Sequence, residues 1–231
     1  MSRPTHKAEI GLSVDIIAEQ AARRDGVPNG TTFSVSREVA GRTRSGEAWS
    51  VGESVAVAVL LRPNWRPECA DLVWILALLA GARALQSLEP KYSDGQWPDV
   101  LSIGDSVVGR SFAKAYFGPG TIDFAVLSVR LDVEAVRKHL SVNVTDLEGA
   151  VTKQFELIAE SSIGEDSTDT RREFAGFCRT LGQTLEIDLR PKGYVRGTAV
   201  DIAENGGLVV ESSTGMREIV MVDTLRRLRV L

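Results

Sequence analysis

The sequence predicts an α+β fold: a mixed or antiparallel sheet flanked by helices, followed by a small C-terminal β-barrel. Three observations lead to this. Residues 55–59 alternate valine (Val55, Val57, Val59) with alanine (Ala56, Ala58), the period of a strand buried on both faces. Residues 68–88 are apolar almost all round (WILALLAGARAL), as a helix pressed against a sheet must be. The last fifty residues break into five short strand-like runs separated by turns such as Glu204-Asn205-Gly206-Gly207 and Thr214-Gly215, a barrel signature.

Taken in order, residues 14–24 (VDIIAEQAARR) form an amphipathic helix with Ser13 as N-cap, ended by Gly26, Pro28, Asn29 and Gly30. Residues 31–39 and 51–61 read as strands, and 62–67 as a turn. After the long apolar helix, 92–100 (YSDGQWPDV) is turn-rich and carries an exposed-looking tryptophan, Trp97, beside a proline. Residues 101–110 form a hairpin about Gly104-Asp105. Its second strand runs on through 111–116, and Gly118-Pro119-Gly120 turns it into a strand at 122–133. Residues 144–159 form a helix with Thr145 as N-cap and Glu148 completing a capping box. Residues 161–169 are a polar linker, and 170–181 a last helix. The expected strands of the barrel are 185–189, 193–203, 207–211, 217–222 and 226–230. The division expected is therefore 1–182 for a large domain and 183–231 for the small barrel.

Composition narrows the function classes. Of 231 residues, 43% are hydrophobic and 25% charged, the averages of a globular chain. The net charge of −4 supplies no global field for nucleic acid or an anionic membrane, so any anion site must be local. Cys69 and Cys178 stand apart in no C-x-x-C pair, which argues against a disulfide scaffold or zinc site and suits a reducing cytoplasm. His6 and His139 alone offer little for a histidine metal site. The first residues lack the apolar core of a signal peptide, and the most apolar run, 72–84, is too short to span a bilayer. The expectation is a cytoplasmic protein that binds neither nucleic acid nor membrane.

One stretch carries chemistry: residues 40–49, AGRTRSGEAW. Gly41 and Gly46 bracket a small flexible loop, with Thr43 and Ser45 inside it, and Arg42 and Arg44 supply two guanidinium forks. Glycine lets backbone N–H groups close on an anion, and arginine binds phosphate or carboxylate in a bidentate manner. The loop alone also reads as an ordinary solvated hairpin turn. Arg130, an arginine inside an otherwise apolar strand, is either a solvent-facing charge or an anion contact. Cys178, on a helix with Phe174 and Phe177, reads as buried and inert. Asp99 reads as a turn carboxylate rather than a magnesium ligand.

The order of elements together with these motifs resembles the biotin protein ligase family, cousins of the lipoate ligases, over nearly the whole chain. The family's G-R-G-R-R-G-R-x-W loop is matched by Gly41-Arg42-Thr43-Arg44-Ser45-Gly46-Glu47-Ala48-Trp49. Its K-W-P-N-D segment is matched by Gln96-Trp97-Pro98-Asp99-Val100. Its C-terminal G-x-A-x-x-I-x-x-x-G-x-L pattern is matched closely by 197–208. The resemblance implies ATP-dependent activation of biotin, or a related carboxylic acid, with Mg²⁺, and transfer to a lysine of a carrier domain. Cations there would neutralise the charge developing at the α-phosphate. The ligand-binding set it implies is Glu38, Gly41, Arg42, Thr43, Arg44, Gly46, Trp97 and Arg130; no catalytic or metal-ligating residue is assigned.

The chain departs from the pattern at the chemistry. The hairpin lysine falls on Ser106 or Val107, the W-P lysine is Gln96, and the third loop arginine is Glu47. The glutamine that helps hold biotin is Glu38, the S-T-N triplet of the biotin pocket is Leu12-Ser13-Val14, and the G-x-G-x-N strand is residues 128–132, containing Arg130. Removing one charge-neutralising group from such a site costs about 3–4 kcal/mol of transition-state stabilisation. The expectations are therefore a ligase with a degenerate site, unless Arg130, Lys91 or Lys114 replaces a lost cation, or a non-catalytic ligand- or carrier-binding relative. Strand edges at 51–61 and its neighbours leave homodimerisation across a two-fold axis open.

Overall fold

The computed structural model describes residues 4–24, 26–49, 52–89, 93–161 and 167–231. Lys91 and Tyr92 lie outside the described residues, as do Val51 and most of the acidic linker. The α+β expectation holds. A seven-stranded mixed sheet has the order β1-β2-β3-β7-β6-β5-β4, and a five-stranded antiparallel sheet follows it. In the first, β1 (Thr5–Gly11) runs parallel to β2 (Thr32–Glu38), and β3 (Ser54–Leu61), β4 (Ser93–Gln96), β5 (Val100–Ile103), β6 (Ser106–Gly118) and β7 (Thr121–Asp132) are antiparallel to their neighbours.

The alternation in β3 sorts two cores. Val55, Val57 and Val59 face α2 (Leu72–Leu88) and α4 (Val144–Glu160) in the larger one. Ala56, Ala58 and Leu60 face α1 (Val14–Arg24), where the small alanines let the helix approach over Val14, Ala18 and Ala22. Because β3 is bonded to β2 on one side and β7 on the other, it has no free edge for two-fold pairing. The outer strands are β1 and β4.

Several local expectations are corrected. The Thr145 cap of α4 is in fact Asn143, whose Oδ1 accepts from Asp146 N at 2.9 Å. The long apolar helix begins at Leu72, after a 3₁₀ turn at Pro67–Cys69. Trp97 is not exposed: it is 2% accessible, part of the main core, with its backbone N–H donated to Thr180 Oγ1 at 2.9 Å. The strand β1 and the short helix α3 (Val133–Arg137) were not read from the sequence.

All five C-terminal strands are present: β8 (Thr184–Leu189), β9 (Gly193–Ile202), β10 (Leu208–Glu211), β11 (Arg217–Val220) and β12 (Leu225–Val230). They form an open sheet, order β11-β10-β9-β8-β12, rather than the expected closed barrel. The turn between β11 and β12 is drawn to the larger unit instead: Val222 N donates to the Asp71 carboxylate at 2.6 Å. The last helix, α5 (Thr168–Phe177), leads into this sheet, and the larger of the two cores runs on without a break into the sheet's buried residues. Among the described residues no helix is long and apolar enough to cross a membrane.

Candidate functional site

The arginine loop leaves β2 and folds into a small hairpin. Trp49 N donates to Gly41 O at 2.8 Å and Thr43 N to Glu47 O at 2.9 Å, and Gly46 takes φ +89°, which favours glycine. The two arginines part company. Arg42 is exposed and donates Nη1 to Gly46 O at 2.8 Å, within its own loop. Arg44 reaches across to the second sheet, where Nη1 donates to Leu225 O at 2.8 Å. Thr43 Oγ1 pairs with Ser45 Oγ, and Glu47 is exposed.

At the root of this loop lies the charged constellation of the molecule. Arg130 on β7 stands opposite Ala56, so its side chain shares the α1 face of the sheet. It is 1% accessible. Its Nε donates to Glu38 Oε2 at 2.7 Å and its Nη2 to Glu38 Oε1 at 3.0 Å, a fork-on-fork pair. Nη2 also meets Asp15 and Ser13 Oγ (2.9 Å), and Nη1 donates to Ser128 Oγ at 3.1 Å. Burial pulls the Arg130 pKa down, but the Asp15 and Glu38 carboxylates more than offset this and hold it above its ordinary value. Of the two readings of Arg130, then, it is an anion contact, but to the chain's own carboxylates.

The same network sets local structure. Ser13 precedes α1 as expected, yet its hydroxyl is spent on Asp15 (2.7 Å) and Arg130. The first helical N–H, Val14 N, is capped by Glu38 Oε1 at 2.7 Å. Gly41 is required here: a Cβ on it would lie 2.7 Å from Glu38 Oε2. Asp15 escaped the sequence reading because it is separated from Arg130 by 115 residues; the signal available was the lone guanidinium within the apolar strand 122–133.

A second cluster joins Arg44 to the hairpin. Asp99 is 6% accessible and lies between Arg44 Nε (4.0 Å) and Arg110 Nη1 (3.7 Å), so it is more than a turn carboxylate. Burial raises the Asp99 pKa, opposed by Arg110 and Arg44. Burial also lowers that of Arg44. Asp99 opposes that shift, while nearby Arg190 and Arg110 add to it. Trp97, expected as a pocket wall, sits behind this cluster in the core. Lys114 is on the surface beside Tyr116 and Glu19 and does not join either cluster. Ser106 and Val107, at the hairpin turn, bring no cation. The structure thus brings Glu38, Gly41 and Arg130 together, holds Arg44 apart from Arg42, and leaves Trp97 outside. Among the described residues no three His, Cys, Asp or Glu side chains gather into a metal-binding group.

Residues 180–222 match the family description "Biotin protein ligase C terminal domain". The whole chain superposes on the biotin protein ligase of Aquifex aeolicus, in complex with biotin and ATP, with a TM-score of 0.71, 15% identity and 100% of both chains covered. The chain has the fold of the biotin protein ligases, and its residues 180–222 match that family's C-terminal domain. The resemblance read from the arginine loop and from 197–208 is borne out at this level.

Biotin protein ligase folds with equally distant sequences surround it. The Helicobacter pylori biotin acetyl coenzyme A carboxylase synthetase, with bound biotinylated ATP, gives a TM-score of 0.68 at 14% identity, covering 95% of this chain and 100% of that one. A biotin protein ligase-like protein of unknown function from Silicibacter sp. gives 0.65 at 16% identity, covering 96% and 95%. No curated protein sequence matches the chain.

Proposed function

We propose that this chain is a non-catalytic relative of the biotin protein ligases, which keeps the scaffold and the arginine loop but has the polar groups expected to face biotin bound to one another. The Arg130 network supports this reading. The sequence resemblance sets biotin against Ser13, Glu38 and residues 128–132, and in this chain those positions are bound to one another through a buried guanidinium. A ligand entering there would separate Arg130 from Glu38 or Asp15. Breaking one side of a buried ion pair costs about 3–5 kcal/mol, two to more than three orders of magnitude in affinity. A cavity of about 650 Å³ lies beside Glu38, Gly41, Arg42 and Trp49, so it is the occupied polar groups and not a lack of space that oppose biotin there, and no catalytic step is assigned. The proposal includes a carrier domain or small acid as partner, a cytoplasmic setting, and a functional division near Gly182.

A second reading, ATP-dependent activation of a different carboxylic acid, is favoured by one observation: Arg44 and Arg110 flank the single carboxylate of Asp99, and Arg190 lies close to Arg44. Such cations would suit a phosphate. The missing lysines at Gln96 and Ser106 weigh against turnover.

Calorimetric titration with biotin, with and without Mg·ATP, followed by a pyrophosphate-release assay, tests the first reading. The expected result is no heat from biotin and no biotin-dependent pyrophosphate. Micromolar biotin binding that ATP strengthens would overturn it. ATP-dependent pyrophosphate release with another acid would establish the second reading.

A further inference from the structure

A cleft of about 430 Å³ opens between the two sheets, away from the Arg130 network. It is bounded by the start of α2, the free edge of β6, and the turn between β11 and β12. Its volume suits a small organic ligand. One wall is aromatic: Trp74 and Phe112 meet edge to face at 5.4 Å between centroids. Ala115 and Met221 extend the apolar lining, and Arg44 and Arg190 supply cations.

The cations are under-neutralised. Arg44 gives Nη1 to a neutral carbonyl, and its Nε has no hydrogen-bond acceptor, Asp99 Oδ1 being 4.0 Å away. Arg190 is exposed and has no ion pair among the described residues, yet lies close enough to Arg44 to depress its pKa further. Arg44 and Arg110 therefore share one buried carboxylate, with Arg190 beside Arg44, and the Arg44 Nε lacks an acceptor among the described residues. The acids of the cleft limit what can supply it. Glu68, Asp71 and Asp223 line the same space, so a ligand of high negative charge would meet repulsion as well as attraction.

We propose that this cleft binds an aromatic or aryl-alkyl carboxylate, its single charge facing Arg44 and Arg190 and its ring against Trp74 and Phe112. A monoanion satisfies the missing acceptor without overloading a cleft that holds three acids, and a flat ring fills the aromatic wall. The site is independent of the Arg130 network, because neither Arg44 nor Arg190 takes part in it.

The test is titration of the full chain with 3-phenylpropionate, phenyl phosphate and ATP, followed by calorimetry and tryptophan fluorescence. The expected result is saturable binding of 3-phenylpropionate, tighter than either phosphate compound, and weakened about tenfold or more in Arg190→Gln. Arg190 is exposed and unpaired, so this variant should keep the wild-type melting temperature. A Phe112→Leu variant should weaken binding while leaving the Arg190 dependence intact. No saturable binding by folded protein, tighter binding of phenyl phosphate or ATP, or affinity unchanged in Arg190→Gln would each overturn the proposal. Because the biotin titration probes the other face of the sheet, failure of one reading leaves the other standing.

Discussion

Asp71→Asn should stabilise the protein at neutral pH and give no gain in acid. Asp71 sits at the N-cap of α2 but does not cap it; its Oδ2 reaches the second sheet and accepts from Val222 N at 2.6 Å. It is 5% accessible, and burial, opposed by the Val222 N–H and reinforced by Asp223, pushes its pKa from 3.8 up to about 6. Between those values the unfolded chain has released the proton while the folded chain still holds it. Stability therefore falls as pH rises through that window, and the full cost is present above about pH 6. A shift of about two units corresponds to about 3 kcal/mol. Asparagine keeps the accepting oxygen and removes the charge, while its own N–H₂ needs a partner, so the expected net gain near pH 8 is about 2 kcal/mol. For a chain of this size that is a rise of about 4–8 °C in Tm. Thermal melts of both proteins near pH 4 and pH 8 make the comparison. Equal destabilisation at both pH values, or a variant less stable than wild type near pH 8, would refute the assignment of a desolvated carboxylate.

Other substitutions probe the loop root and the caps. Arg130→Met should destabilise by about 3–5 kcal/mol in denaturant titration, because the buried Glu38 carboxylate and the half-buried Asp15 are left without a counter-charge. Adding Glu38→Gln to it should recover part of that loss, as a double-mutant cycle would show. Gly41→Ala should cost about 1–3 kcal/mol and expose the arginine loop to protease, since its Cβ would press on Glu38 Oε2 at 2.7 Å. Asn143→Ala should cost about 1 kcal/mol through loss of the α4 cap, whereas Thr145→Ala should be nearly silent.

What the sequence made legible follows from how local each signal is. The valine–alanine alternation of β3, the hairpin at Gly104 and the five C-terminal strands depend on neighbours a few residues apart, and all are present. The strand β1 gave no such signal: most of its residues are exposed, and its pairing with β2 spans the whole of α1. Barrel closure was not a local matter: the pairing of the outer strands is long-range, and the turn before β12 is bonded to Asp71, 151 residues away. Trp97 looked exposed among polar neighbours; its environment is made by Thr180 and by Gly95, where Phe177 packs so closely that a Cβ would lie 2.7 Å from it. At the site, the glycines and arginines of the loop could be read, but not their destinations. Arg42 and Arg44 are one residue apart, and the hairpin sends one back to its own turn and the other to Leu225.

The Arg130 network bears on why this loop is where it is. A buried ion cluster is poor evidence for stability, since desolvation consumes most of the Coulomb gain, and similar-sized apolar side chains would often do as well. What such a cluster does provide is position. The Glu38 carboxylate accepts from Arg130 on β7 and from Val14 at the head of α1, and its own backbone begins the arginine loop. Three elements are thereby fixed to one another at the point where the loop departs, and a Cβ at position 41 would press on that same held carboxylate. Arg44 then secures the far side on Leu225. With both ends held by the chain's own groups, the loop needs no ligand to set its conformation. The buried guanidinium that would otherwise recognise a carboxylate at this face, Arg130, is already answered, while Arg44 at the cleft between the sheets still has an Nε without an acceptor among the described residues.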